Sequence, residues 1–322
     1  MEYTTLGTTG MEVSEICLGC MSFGGGREWT LGEDESHDLI DRAIELGINF
    51  FDTANVYSTG ESEEILGSAL AEYDRDEQVV ATKVFGEMAD HPNAQGLSRK
   101  AIEQELANSL DRLDMDTVDL YQIHRWDDDT PVEVTMRTLD DAVRRGEVRY
   151  LGASSMWAHQ FAAALHTSDR LGLDRFATMQ NHYNVLYREE EREMLPLCDR
   201  EGIGVIPWSP LARGGAARPH EELGSTTRGE TDEYLQGMPY FQGGGEEINE
   251  RVAELAADHS VTMGQVSLAW LLGKEWVDAP IVGTTSVEHL EEAVEATEID
   301  LSESDVAYLE EPYEPLPIAG HE

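Results

Sequence analysis

Four side chains in the first half of the chain could do proton chemistry together: Asp52 in INFFDTANVY, Tyr57 five positions later, Lys83 at the end of VVATKV and His124 at the end of VDLYQIH. Asp52 directly follows Phe50 and Phe51, and a carboxylate at the end of an apolar run is costly unless a cation or donor meets it. The stretch FDTANVYSTGESEEILGSAL contains no cation, so the partner must come from elsewhere in the fold. Lysine occurs only three times, as Lys83, Lys100 and Lys274, which argues against Lys83 being surface decoration. Taken singly, Asp52 has a helix cap or a structural ion-pair partner as its lesser alternative, whereas His124 alone reads first as a satisfied core histidine. A lysine ammonium beside a phenol favours the phenolate, so the phenol becomes a better proton donor near neutrality. An aspartate would hold the ammonium in place, and a neutral imidazole would orient a carbonyl oxygen. Such a set protonates a carbonyl while hydride arrives at carbon, and because no side chain delivers hydride, a nicotinamide cofactor is implied.

These residues need a scaffold that brings them to one rim. Eight short apolar runs begin at Ile16, Ile48, Val79, Val118, Val148, Phe176, Ile203 and Ala279. Between them lie amphipathic segments such as ESHDLIDRAIELG and SRKAIEQELANSLDRL, several opening on Ser, Thr or Glu and closing near Gly. Strand alternating with helix predicts βαβ units. With no compositionally biased linker, eight units predict one α/β domain over residues 1–322, a closed (β/α)8 TIM barrel. YTTLGTTGMEVS reads as an N-terminal β-hairpin before the first barrel strand, plugging the barrel floor. The stretch from about Leu211 to Gly245, after strand 7, is the longest irregular segment and is expected to form a mobile flap over the site. Asp52, Lys83, His124, Ser154, Ser155, Gln180, Trp208 and Ser209 all stand at or just past the ends of runs, hence on the C-terminal rim.

The segments LGTTGMEVSEICLGCMSFGG, GINFFDTANVYSTGESEEILGSAL, VVATKV, VDLYQIHRWDDDTPVEVTMRTLDDAVRRGEVRYLGASS, MQNHYNVLYREEE, GVIPWSPLARG and APIVGTTSVEHLEEAV together resemble the aldo-keto reductases over essentially the whole chain. The resemblance implies that Tyr57 is the general acid, that Asp52 and Lys83 tune it, and that His124 positions the carbonyl of a small-molecule substrate. It implies that NADPH or NADH lies extended across the rim without a Rossmann fold. Ser154, Ser155 and Gln180 would hold the carboxamide, and Trp208 would stack on the nicotinamide. Ser209, Leu211 and Arg213 would line the pyrophosphate. Gly283, Thr284, Thr285, Ser286, His289 and Glu292 would contact the adenosine end. Many members carry Ser-Asn where this chain has Ser154-Ser155, and many NADPH-dependent members have a lysine and an arginine where it has Gly283 and His289. The expected preference is therefore for NADPH by a modest margin. Two rival functions remain: a lyase using Lys83 as a Schiff-base nucleophile, and a cofactor-loaded redox sensor or interaction subunit.

Composition narrows the setting. Asp and Glu number 65 against 22 Lys and Arg, a net charge of −43 spread through the whole sequence. Nucleic acid and anionic membranes are disfavoured as partners. So much self-repulsion calls for screening, which points to a salt-rich cytoplasm and a halophilic, archaeal host. No apolar run is long enough to span a bilayer, and MEYTTLGTTG lacks the pattern of a signal peptide. The three cysteines, Cys17, Cys20 and Cys198, fit a reducing compartment; Cys17 and Cys20 have CxxC spacing, but without a second pair for zinc they read as core packing, and no metal is expected.

Overall fold

The computed structural model describes residues 1–320. Strands β1 (Tyr3–Thr5) and β2 (Glu12–Ser14) form the expected antiparallel hairpin. Gly7 in its turn has φ +52°, and a Cβ there would lie 2.4 Å from the backbone nitrogen of Gly204, so only glycine allows the hairpin this close to the barrel. Leu6 and Val13 are fully buried in a cluster with Phe50, Leu120, Ile206 and Ile281, which closes the barrel floor.

All eight apolar runs contribute strands: β3 (Cys17–Gly19), β4 (Phe50–Asp52), β5 (Val79–Val84), β6 (Val118–Ile123), β7 (Val148–Ser154), β8 (Phe176–Gln180), β9 (Gly204–Val205) and β10 (Ile281–Val282). They pair in parallel in the order β10-β3-β4-β5-β6-β7-β8-β9. The seam is closed by a parallel bridge between Trp208 and Ile281, with Ile281 N donating to Pro207 O at 2.9 Å and Asp278 N to Val205 O at 2.9 Å. The fold is a (β/α)8 barrel.

Helices between the strands start and stop where local chemistry dictates. Ser98 Oγ accepts from Ala101 N at the start of Arg99–Leu113. Gly146, Gly172 and Gly202 end three other helices in the left-handed conformation. Apolar faces of the helices, among them Leu39, Leu66, Ile102, Leu106, Leu139 and Phe161, pack on the outside of the sheet in one continuous core. Among the described residues no helix is long and apolar enough to cross a membrane.

The segment after β9 departs from the expectation of an irregular loop. Residues Leu211–Gly245 wind into 3-10 turns at Ala212–Gly214 and His220–Ser225 and short helices at Thr227–Thr231 and Glu233–Gly237. Thr226 and Asp232 cap the two helices, and Ala212, Ala216, Leu235 and Tyr240 are buried. Hydroxyl and carboxylate caps satisfy amide groups that short turns would otherwise leave bare, and the buried residues tie the segment to the barrel.

Candidate active site

Adjacent strands deliver the opposite charges. Asp52 ends β4 and is paired in register with Ala81 of β5, so Lys83, two residues further, comes to the same inward face one step nearer the rim. Lys83 Nζ lies 2.5 Å from Asp52 Oδ1 and donates to Thr53 O at 2.8 Å. Both side chains are essentially sealed from solvent. Burial pulls the Lys83 pKa down, but Asp52 and Tyr57 outweigh it, and the lysine pKa ends above its ordinary range. The third donor contact of Nζ reaches Tyr57 Oη at 3.4 Å. His124 continues β6, its amide donating to Val84 O at 2.9 Å, and its ring stands edge-on to Tyr57 with centroids 5.7 Å apart. Burial, then the charges of Lys83 and Arg125, hold the imidazole pKa well below the usual histidine value. The four residues singled out from the sequence thus meet in one place.

Gln122 completes the set and was not singled out in the sequence. It sits beside Lys83 in the β5–β6 register, and its Nε2 donates to Asp52 Oδ2 at 2.8 Å. Gln180 Nε2 donates to the same oxygen at 2.9 Å and to Gln122 Oε1 at 3.1 Å, so the amide expected to face a carboxamide is engaged with the aspartate. A Cβ on Gly152 would come within 2.7 Å of Gln122 Cγ and 2.5 Å of Thr178 Oγ1; glycine there makes room for the glutamine. The only sequence signal for Gln122 is a polar residue interrupting VDLYQIH on the lysine-facing parity of the strand.

The loop that carries Tyr57 is held from behind. Asn55 Nδ2 donates to Glu105 Oε2 at 3.0 Å, Thr82 Oγ1 to Glu63 Oε1 at 2.5 Å, and Arg112 Nε to Glu63 Oε2 at 2.6 Å. Ser58, Thr59 and Gly60 all have left-handed φ, and a Cβ on Gly60 would meet Arg112 Cδ at 2.6 Å. Cys17 and Cys20 are fully buried, and burial pushes both thiols well above their ordinary range, in keeping with core packing.

The remaining predicted residues line the other side of the rim. Trp208 lies flat on His182 (centroids 4.1 Å, 8°), which lies on Tyr187, and its indole donates to Ser155 Oγ at 2.9 Å. Ser154 Oγ is 3.2 Å from Ser155 Oγ. Ser209 and Arg213 have left-handed φ, and Leu211 half-exposes its side chain between them. Arg213 and Arg228 share one carboxylate: Arg213 Nη2 lies 2.6 Å and Arg228 Nε 3.2 Å from Asp232 Oδ2. Burial and the neighbouring Arg213 pull the Arg228 pKa down to about 10. Arg218, in the same segment, has a buried Nε with no hydrogen-bond partner among the described residues. Sequence reasoning missed Arg218 and Arg228, because charge spacing within a loop carries no periodic signal. Beyond β10, Gly283, Thr285 and His289 are exposed and Glu292 half-buried. The Thr284 hydroxyl donates to Ser286 O at 3.1 Å, and Ser286 Oγ caps the helix Val287–Glu295 at His289 N.

Residues 15–314 match the model of the aldo/keto reductase family. The chain belongs to the aldo-keto reductases. It is 41% identical to an aldo-keto reductase of Alternaria alternata, covering 99% of this chain and 93% of the relative. It is 40% identical to the versiconal hemiacetal acetate reductase of Aspergillus parasiticus, covering 99% and 98%. Aldo-keto reductases use NAD(P)H, and the rim suits such a ligand: a half-buried indole platform, an unpartnered Arg218 Nε, two guanidiniums on one carboxylate, and an open Gly283 whose Cβ would meet only Gly19 O at 3.6 Å.

Proposed function

We propose that this aldo-keto reductase reduces an aldehyde or ketone to the alcohol, with Tyr57 as general acid. The observation that carries the reading is a buried ammonium, Lys83, paired with Asp52 at 2.5 Å and lying 3.4 Å from the Tyr57 hydroxyl. Tyr57 donates its proton to the carbonyl oxygen, and Lys83 stabilises the phenolate left behind. Asp52, fixed by Gln122 and Gln180, keeps Lys83 charged and in place. His124, neutral, directs a ring nitrogen at the same carbonyl oxygen. A bound nicotinamide supplies the hydride. Trp208 would be the platform for its ring, Ser154 and Ser155 would meet its carboxamide together with the oxygen of Gln180, whose amide nitrogen is held by Asp52 and Gln122, and Ser209, Leu211 and Arg213, with Arg218 and Arg228, would line the phosphates. Gly283, Thr284, Thr285, Ser286, His289 and Glu292 take the adenosine.

Because the Thr284 and Ser286 hydroxyls already serve the backbone, a ribose phosphate there relies on Thr285, His289 and amides. NADPH is then favoured over NADH by about tenfold to a hundredfold, the worth of two or three neutral contacts. A lyase using Lys83 would need an uncharged amine, which the Asp52 pair opposes. The whole chain acts as one unit in a salt-rich cytoplasm of a halophilic, archaeal host; the charge of −43 supports this, whereas the two relatives named above are fungal and lend it no support. Initial rates with an aldehyde and ketone panel and both reduced cofactors, in molar KCl, test the proposal; no cofactor oxidation with any carbonyl would overturn it, and covalent trapping by borohydride at Lys83 would favour the lyase.

A further inference from the structure

In a chain with 65 carboxylates and 22 cations, arginines drawn into the fold should find acidic partners, and most do: Arg112 meets Glu63, Arg188 meets Glu191 and Glu310, Arg213 meets Asp232. Arg218 is one exception and belongs with the phosphate-side cluster. Arg125 is the other, and it stands beside the reacting centre. Among the described residues its one hydrogen bond runs from Nη1 to the backbone oxygen of His124 at 2.6 Å, and no carboxylate pairs with it. Acids are not in short supply there: Asp127, Asp128 and Asp129 follow within four positions. Asp127 instead accepts from Leu97 N of the loop after β5 at 2.7 Å and from Thr130 Oγ1 of its own loop at 2.8 Å.

A half-buried guanidinium with one hydrogen bond to the fold leaves most of its five donors facing water, where a ligand can take them up. Burial draws the Arg125 pKa below its ordinary range, while the Tyr234 and Tyr57 phenols are near enough to act on its charge in the opposite sense. Tyr234 in turn lies 6.3 Å from Trp208, ring to ring. Arg125 directly follows His124 just past the end of β6, so it stands on the same rim as the reacting centre, where a substrate held for reduction would lie.

We propose that Arg125 anchors an acidic group on the substrate, so that the enzyme acts best on carbonyl compounds that also carry a carboxylate. The inference rests on the reductase reading above. A guanidinium fork receives a carboxylate by parallel N–H donors, and an ammonium would not reproduce that geometry. In molar salt the Debye length is about 3 Å, so the acidic surface repels such a substrate only weakly while direct contact survives.

The test compares kcat/KM for 2- and 4-carboxybenzaldehyde with that for benzaldehyde in molar KCl, in the wild type and in Arg125→Gln. The ratio is the readout, because a loss shared by both substrates cancels. Wild type should prefer at least one carboxylated aldehyde, and Arg125→Gln should lower that ratio by roughly tenfold to a hundredfold through KM, as for one charge-assisted contact. Arg125→Lys should recover part of it, and carries the comparison should the glutamine variant fail to fold. An unchanged ratio, with both substrates falling together, overturns the anchor and leaves Arg125 as a positioning residue acting on His124. The reductase reading is scored separately by wild-type turnover of benzaldehyde. Should wild type reduce none of the three, that reading falls, and phthalate binding to the NADP-loaded protein, followed by tryptophan fluorescence, decides the anchor: equal affinity in wild type and Arg125→Gln overturns it, and weaker binding only in the variant upholds it.

Discussion

The two sides of the rim are built on opposite electrostatic plans. At the ends of β4 and β5 the Asp52 and Lys83 charges are closed within the fold: both oxygens of Asp52 are used, one by Lys83 and the other by Gln122 and Gln180, and Lys83 spends its donors on Asp52, Thr53 and Tyr57. Across the rim, between Ser209 and Asp232, positive charge is left over, with two guanidiniums on one carboxylate and a third with an unpartnered Nε. A closed network over-determines geometry and keeps one protonation state; an open one waits for a ligand to complete it. On the proposed reading, the chemistry of the site belongs to the first side and its affinity for phosphates to the second.

Substitutions can break this contrast on each side. The largest effect is expected for Tyr57→Phe, which removes the one proton donor: kcat should fall by roughly a hundredfold or more, while titration of cofactor by fluorescence remains close to wild type. Retention of more than about a tenth of kcat would remove Tyr57 from the role. Next is Asp52→Asn, which leaves a buried ammonium without its carboxylate; breaking such a pair costs about 3–5 kcal/mol, visible as a lower midpoint in denaturant. A midpoint within error of wild type would mean that Lys83 is held on β5 without the charge of Asp52. On the open side, Arg228→Gln should raise KM for NADPH roughly tenfold, with a smaller effect on kcat, as expected for one charge-assisted contact; a loss in kcat alone would move Arg228 out of the phosphate set.

The pH dependence sharpens the same comparison. His124 has a folded pKa well below its ordinary value of about 6.5. The unfolded chain therefore takes up this proton first, and the stability that neutral His124 contributes is fully present above pH about 6.5 and is lost as pH falls below it. In the folded enzyme the imidazole stays neutral across that range, so kcat/KM should show no step near pH 6.5, and thermal melts should decline from that point down. A rate profile with a histidine-like step there would show that His124 is solvated. The smallest effect is expected from ionic strength: with a charge of −43, the melting temperature should drop on transfer from molar KCl to about 0.01 M, where the Debye length reaches about 30 Å. A salt-independent melt would mean that the surface charges are compensated locally.

Much of the molecule was legible before any coordinates. The eight apolar runs became eight strands because alternation with amphipathic segments admits few other packings. The hairpin was legible because Gly7 and Gly10 mark its turn and Leu6 and Val13 its buried face. The Leu211–Gly245 segment was misread in texture: its caps, Thr226 and Asp232, serve helices of only five residues, too short for an apolar period to show.

By itself the sequence determined which residues reach the rim, since a strand end in a parallel barrel has only one place to go, and Asp52, Lys83 and His124 each stand at or within one residue of a strand end. It also determined that Asp52 needs a partner, because desolvation of a carboxylate depends on the run it follows. Only the tertiary structure decided how the partners divide. That Gln122 and Gln180 both turn onto Asp52, that Gly152 vacates the space Gln122 uses, and that Ser155 holds the Trp208 indole are all contacts between elements far apart in the chain. Hydrogen bonds act over about 3 Å, and no pattern along one strand encodes a distance between two.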